Sequence, residues 1–155
     1  HEQILYERLA QREETVPLTP PAQATLTARE MDLLGGYLPL LRELGLEIEP
    51  FGGNTLLVRA LPRPLAAQDP QEVLTVLLEE LRRYRRSGEA DLRERLTMRL
   101  ACLAAVKAGD PLDMAQMQKL LDDLEAAWSP STCPHGRPAF IAIGLEELER
   151  RFQRR

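Results

Sequence analysis

The stretch from Leu46 to Ala60 limits the possible folds of this chain more than any other. Apolar and polar side chains alternate in Leu46-Glu47-Ile48-Glu49, and Leu56, Val58 and Ala60 resume the alternation after Gly52-Gly53-Asn54. Alternation on both sides of a short glycine-containing turn is typical of a β-hairpin. The sequence therefore predicts an antiparallel pair of strands in the first half of the chain.

Helical patterns flank this hairpin on both sides. Thr27–Glu30 and Asp69–Glu72 each place a capping residue three positions before a carboxylate. This spacing is a capping box, so a helix is predicted to begin at each. The prolines around Thr15–Leu18 confine that extended segment to an edge strand or an exposed ribbon. Together these elements predict a complete βαββα unit between about Thr15 and Arg86.

The remaining sequence predicts further helices and one isolated strand. A helical pattern covers His1–Gln11, a long one covers Leu92–Ala108, a third begins at the cap Asp113, and a short one covers Leu145–Phe152. The apolar run Ala139–Ile143 is predicted to be a strand. A lone strand cannot satisfy its own backbone groups, so we expect its partners to come from sequence before His1 or from another chain.

Composition bounds the class of protein. A chain of 155 residues makes one domain or two small subdomains. The net charge of -4 argues against a binder that holds nucleic acid by electrostatics alone. No apolar run approaches the roughly 20 residues that cross a bilayer. Because His1 starts directly on a helical pattern, we expect the sequence to be a fragment of a longer chain.

The segment Cys133-Pro134-His135-Gly136-Arg137-Pro138 places two potential metal ligands close together. In an extended or turn segment, residues two apart project to the same side, so Cys133 and His135 can face one ion. Thiolate and imidazole are ligands that zinc prefers. From the spacing alone, a buried thiol beside a histidine that hydrogen-bonds to backbone is the more common arrangement. Cys102 and Cys133 also allow one disulfide, although a site is the more usual arrangement in a reduced cytosolic chain.

With these patterns in hand, the chain resembles the C-terminal domain of the MutL mismatch-repair proteins over nearly its full length. The similar segments are Cys133–Pro138, Ala101–Gly109, Glu49–Asn54 with Val58-Arg59, and Glu146–Phe152. The opening His1–Glu7 resembles the second half of the family's D-Q-H-A-x-x-E-x-x-x-x-E endonuclease motif, with Glu2 and Glu7 in register. The resemblance implies a domain that homodimerises and carries a metal-dependent site for nicking DNA.

The resemblance also implies which residues form that site. It places Glu2, Cys102, Cys133 and His135 as metal ligands, with Arg137 immediately behind them, and Glu2 and Glu7 as catalytic residues. Five residues separate Glu2 from Glu7, which on a straight helix puts them roughly 140° apart, so both cannot bind one ion. The implied cofactors are structural or regulatory Zn²⁺, and Mn²⁺ or Mg²⁺ for nicking.

Two departures from the family pattern limit the expected activity. The aspartate and histidine of the D-Q-H-A half lie outside this sequence, so a second ion would lack ligands. Leu103 stands where the family often has a basic residue. We therefore expect the intact protein to be the nicking endonuclease and this fragment to nick poorly or not at all.

The resemblance divides the α+β fold into two small α/β subdomains joined by the N-terminal helix. Residues 1–11 with 92–155 are predicted to form the dimerisation and metal-site subdomain, lacking its N-terminal strands in this fragment. Residues 12–91 form the regulatory subdomain. The implied partners are a second copy, a MutS-type mismatch sensor, double-stranded DNA and a sliding clamp, and no membrane is expected. The clamp-binding segment is Thr15, Val16, Pro17 and Leu18, and the implied location is cytoplasmic, at the nucleoid.

Two other readings of the sequence remain open. The chain could be a non-catalytic module that dimerises and recruits partners around a structural or regulatory zinc. It could also be a small metal-free ligand-binding domain in which Cys102 and Cys133 are core residues. Zinc content separates the last reading from the others.

Overall fold

A computed structural model describes residues 1–11, 14–84, 92–107, 109–127, 131–133 and 136–153. These residues form an α+β fold, as predicted, with seven α-helices, three strands and one short 3-10 helix at Arg63–Leu65. The elements in chain order are α1 (Glu2–Ala10), β1 (Thr15–Thr25), α2 (Ala28–Gly35), α3 (Leu38–Glu43), β2 (Glu47–Gly52), β3 (Thr55–Pro62), α4 (Pro70–Tyr84), α5 (Leu92–Ala104), α6 (Met114–Glu125) and α7 (Leu145–Arg151).

The three strands form one antiparallel sheet in the order β1-β3-β2. The predicted hairpin is confirmed: β2 and β3 pair from Glu47↔Ala60 to Gly52↔Thr55. Gly52 has a φ of 105°, a conformation that favours glycine. β1 pairs with β3 at the sheet edge, where its prolines, which lack an N–H, are tolerated. The predicted βαββα unit is therefore present.

The helices of this unit begin where the capping patterns placed them. Thr27 accepts a hydrogen bond from the Glu30 N–H, and Glu30 in turn accepts one from the Thr27 N–H at 2.7 Å, so the capping box before α2 is closed. Helix α2 ends at Gly35, and α3 follows with Pro39 in its first turn. One face of α4 is buried in the core through its regularly spaced apolar residues Val73, Leu74, Leu77, Leu78 and Leu81.

Helix α5 packs against both α1 and α4. Its buried residues Leu96 and Leu100 join the same core as the sheet. Glu80 on α4 has a buried carboxylate, and Arg95 on α5 donates to it at 2.6 Å. A buried carboxylate is stable only when such partners compensate its lost hydration, so this pair fixes α4 relative to α5.

The C-terminal part of the described chain lies outside this core. A closed capping box at Asp113 and Gln116 begins α6, as predicted, and an ion pair of 2.9 Å joins Arg8 on α1 to Asp123 on α6. The predicted strand Ala139–Ile143 is wrong, since none of its residues is assigned to a strand. The described strands pair only with one another, so this run has no sheet neighbour to satisfy its backbone.

No helix in the described ranges combines the length and the hydropathy needed to cross a membrane. The division into residues 1–11 with 92–155 and residues 12–91 stays a prediction.

Candidate metal centre

A tight turn positions Cys133 beside Arg137. The Cys133 N–H donates to the Arg137 carbonyl at 2.8 Å, and the Gly136 N–H donates to the Cys133 carbonyl at 2.8 Å. Gly136 has a φ of 75°, which a residue with a Cβ rarely adopts. Thr132 and Pro138 form a β-bridge that closes the turn. His135, a predicted metal ligand, lies outside the described residues, as does Pro134.

Glu2 and Cys102 meet where the first turn of α1 packs against the last turn of α5. The Glu2 carboxylate is a hydrogen-bond partner of the half-buried Cys102 thiol. Burial raises the pKa of Cys102, and the negative charge of Glu2 raises it further, while the positive charges of Lys107 and Arg99 act in the opposite direction. Two of the four predicted metal ligands are therefore in direct contact.

Arg137 connects this pair to Cys133. Its Nη2 atom lies 3.5 Å from Glu2 Oε2. A hydrogen bond to the Cys133 sulfur raises the pKa of the Arg137 guanidinium, and the charges of Cys133, Glu2 and Cys102 add to this effect. Arg137 thus contacts two of the four predicted ligands, and its role beside a metal stays a prediction. Residues from α1, α5 and the turn converge at one place.

The side chains that meet here carry donor types found in zinc sites. One carboxylate and two sulfurs are ligand types that zinc accepts, and a fourth ligand completes its usual tetrahedron. Within the described ranges, no group of three or more His, Cys, Asp or Glu side chains is close enough to hold an ion. Glu2 and Cys102 form a pair of donors, and Arg137 stands between Glu2 and Cys133. The ligand role of His135, which lies outside the described residues, stays a prediction.

Glu7, predicted to be catalytic, occupies a different environment from Glu2. Its side chain is buried, and Gln3 donates a hydrogen bond to Glu7 Oε1 at 2.6 Å. Glu2 instead faces Cys102 and Arg137. The structure therefore separates the two glutamates, as the helical angle predicts, and the catalytic role of Glu7 stays a prediction.

Two functional candidates were not predicted from the sequence. Arg99 and Lys107 both place positive charge near Cys102, and Lys107 Nζ also donates to the Cys102 carbonyl. Arg99 precedes Cys102 by three residues, a spacing that puts both on the same face of a helix. That spacing could have identified Arg99, whereas the approach of Lys107 depends on how the chain turns after α5.

The predicted clamp-binding segment forms the beginning of β1. Thr15, Val16 and Pro17 pair with β3 opposite Pro62, Leu61 and Ala60. Leu18 is half-buried and packs against the core. The segment is an edge strand, as one of the two sequence readings proposed, and its role in clamp binding stays a prediction.

Comparison with known proteins gives a consistent result. Residues 1–112 match the family described as the MutL C terminal dimerisation domain. A DNA mismatch repair protein MutL from Exiguobacterium sp. is 38% identical over 153 residues, which cover 98% of this chain and 25% of that protein. The MutL proteins of Syntrophus aciditrophicus and Symbiobacterium thermophilum are 37% and 38% identical over 163 residues, covering 100% and 99% of this chain and 26% of each protein. The chain thus spans about a quarter of the length of these relatives.

Proposed function

Since this chain belongs to the MutL C-terminal dimerisation domain family, we propose that it is the homodimerising part of a mismatch-repair protein and carries a metal-dependent DNA-nicking site. The observation that carries the proposal is the contact of Glu2 with Cys102, together with Arg137, which contacts both Glu2 and Cys133. These residues are far apart in sequence and come from three separate elements.

In this proposal Glu2, Cys102, Cys133 and His135 hold the ion, with Zn²⁺ structural or regulatory and Mn²⁺ or Mg²⁺ supporting nicking. A bound divalent ion activates water and neutralises charge that develops on the phosphodiester. Three separate elements would contribute the ligands: α1 the Glu2 carboxylate, α5 the Cys102 sulfur, and the turn at Gly136 the Cys133 sulfur. The partly buried position of Cys102 limits the access of water to that side of the site.

The proposed partners are a second copy of this chain, a sliding clamp, a MutS-type mismatch sensor and double-stranded DNA. Exposed apolar side chains on α6 and after it support dimerisation. The edge position of Thr15–Leu18 suits the docking of an extended segment in a partner's groove. The proposed location, which follows from these proposed partners, is the cytoplasm, at the nucleoid.

Nicking of a supercoiled plasmid by the full-length protein with Mn²⁺ tests the proposed site. Glu2→Gln keeps the size of the side chain but removes its charge, and Cys133→Ser removes a sulfur ligand. Each is expected to lower nicking by at least about 10- to 100-fold, since the loss of a group that only orients a metal ligand already has an effect of that size. Glu72→Gln, an exposed position on α4, is the matched control and is expected to nick normally. Full nicking by both site variants contradicts the proposal.

A non-catalytic dimerisation and recruitment module with a structural or regulatory zinc is the second candidate. The exposed apolar residues of the C-terminal part favour it as much as they favour the nuclease. It predicts that the full-length wild-type protein contains zinc, that Cys133→Ser lowers the zinc content, and that no variant nicks DNA. Elemental analysis beside the plasmid assay separates the two candidates.

A further inference from the structure

We propose that Arg137 competes with the divalent ion for Glu2 and Cys133, and so sets how tightly the site holds metal. This inference rests on the proposed metal site and adds a function for a residue that is not itself a ligand. In this role Arg137 weakens metal binding.

The contacts of Arg137 use the same atoms that a metal needs. Its Nη2 atom approaches Glu2 Oε2 at 3.5 Å, and its guanidinium hydrogen-bonds to the Cys133 sulfur. The guanidinium group has five N–H donors in a planar fork, so it can hold a carboxylate and a sulfur together. The Glu2 oxygen and the Cys133 sulfur that face Arg137 are also the atoms that would coordinate zinc. Arginine and metal therefore cannot use them at the same time without rearrangement.

The backbone keeps Arg137 next to the ligands, while its side chain remains able to leave. The 2.8 Å hydrogen bond from the Cys133 N–H fixes the Arg137 carbonyl within the turn. The side chain of Arg137 is nevertheless 71% exposed, so its charged end can turn into solvent at little cost in hydration. Since arginine stays charged in proteins, its repulsion of a cation does not depend on pH in the physiological range.

The direction in which metal affinity changes when Arg137 is removed shows whether Arg137 competes with the ion or supports its ligands. A residue that merely orients metal ligands improves binding, and its removal typically lowers metal affinity by about 10- to 100-fold. Removal of a competing cation must instead raise affinity. The exposure of Arg137 makes this comparison practical, because its substitution leaves the buried core untouched.

Titration of the full-length protein with Co²⁺ tests the proposal, since the near-ultraviolet absorption of cobalt bound to thiolate reports ligation by cysteine. Arg137→Gln is expected to bind Co²⁺ at least about fivefold more tightly than wild type, the lower end of usual coupling between two ligands. Arg137→Lys, which keeps the charge and loses the fork, is expected to lie between them. Arg59→Gln is the matched control, because Arg59 is also an exposed arginine paired with a glutamate.

Unchanged or weaker Co²⁺ binding by Arg137→Gln overturns the competition. A failure of the metal site itself has a different signature: wild type shows no thiolate absorption, or Cys133→Ser leaves that absorption unchanged. That result overturns the proposed site and the competition together. Thiolate absorption in wild type with no gain in Arg137→Gln overturns the competition alone.

Discussion

Two glutamine–carboxylate pairs in this chain share one geometry and differ in burial. Gln3 donates to Glu7 at 2.6 Å in the buried part of α1, and Gln118 donates to Asp122 at 2.8 Å on the exposed face of α6. Both pairs span four residues. In water, solvent replaces a lost partner, whereas a buried carboxylate that loses a hydrogen bond bears the full cost of its desolvation. The Gln3 hydrogen bond should therefore contribute more to stability.

Gln3→Ala is expected to lower the free energy of unfolding by about 1–3 kcal/mol, because it removes a hydrogen bond from buried Glu7. Gln118→Ala, the matched control, is expected to cost no more than about 0.5 kcal/mol. Urea unfolding followed by circular dichroism measures both. Equal losses in the two variants would show that the burial of Glu7 does not make its hydrogen bond more important.

For single residues, the sequence predicted positions around a helix better than it predicted contacts with other elements. The angle between Glu2 and Glu7 could be predicted from helical geometry, and the structure places them in different environments. The contact of Glu2 with Cys102 could be predicted only from the family resemblance, since periodicity gives no information on which helices pack together. His135 lies outside the described residues, so its ligand role stays a prediction.

The start of α2 shows how a cap couples stability to pH at the scale of one element. Glu30 accepts hydrogen bonds from the Thr27 N–H at 2.7 Å and the Thr27 hydroxyl at 2.8 Å, and Arg82 donates to it at 2.6 Å. The hydrogen bonds from Thr27, backbone first, and the contribution of Arg82 lower the pKa of Glu30. Folding therefore favours the charged form of Glu30. As pH falls, the Glu30 carboxylate is protonated at a higher pH in the unfolded chain than in the folded one.

Glu30→Gln is expected to be less stable than wild type by about 0.5–1 kcal/mol at neutral pH, because it loses the charge on an exposed pair and a cap. A lowered pKa gives stability that is present above the unfolded value, about 4.3, and is lost as pH falls through the folded value. The difference should therefore shrink as pH falls below the unfolded value and through the lower folded one. Urea unfolding at several pH values measures it, with Thr27→Ala as the control for the cap. A difference that stays constant with pH contradicts this linkage.

Most helices and strands could be predicted from local sequence, because the residues that begin a helix or form a hairpin turn lie only a few positions apart. The capping boxes at Thr27 and Asp113 and the hairpin around Gly52 are satisfied by residues a few positions apart. The prediction for Ala139–Ile143 was wrong because a strand is defined by a neighbour that local sequence cannot supply. Similarly, α5 ends at Ala104 rather than at the predicted Ala108, with Lys107 donating to the Cys102 carbonyl near this helix end.

At the scale of the whole molecule, apolar residues divide the described chain into two parts. The buried apolar residues all lie between Ile4 and Ala105. Among the described residues, ten large apolar side chains are exposed; Phe51 alone of these lies in that part, and nine lie from Met114 onwards. A concentration of exposed apolar surface in one part of a chain marks an interaction site, whereas scattered residues do not. From this asymmetry we expect the C-terminal part to be the surface that a second copy covers.

Ile141→Asp is expected to weaken the dimer of the full-length protein, because Ile141 is 77% exposed in the single chain and its apolar surface would leave water on association. Burying one such side chain contributes about 1.5–3 kcal/mol, which corresponds to a dissociation constant roughly 10- to 100-fold higher in the variant. Phe51→Asp is the matched control, since Phe51 is 58% exposed at the tip of the β2–β3 hairpin, outside the C-terminal part. Sedimentation equilibrium measures both variants. Because Ile141 contributes nothing to the buried core, its substitution tests association without unfolding the chain. If the Ile141→Asp variant dimerises as tightly as wild type, the interface lies elsewhere.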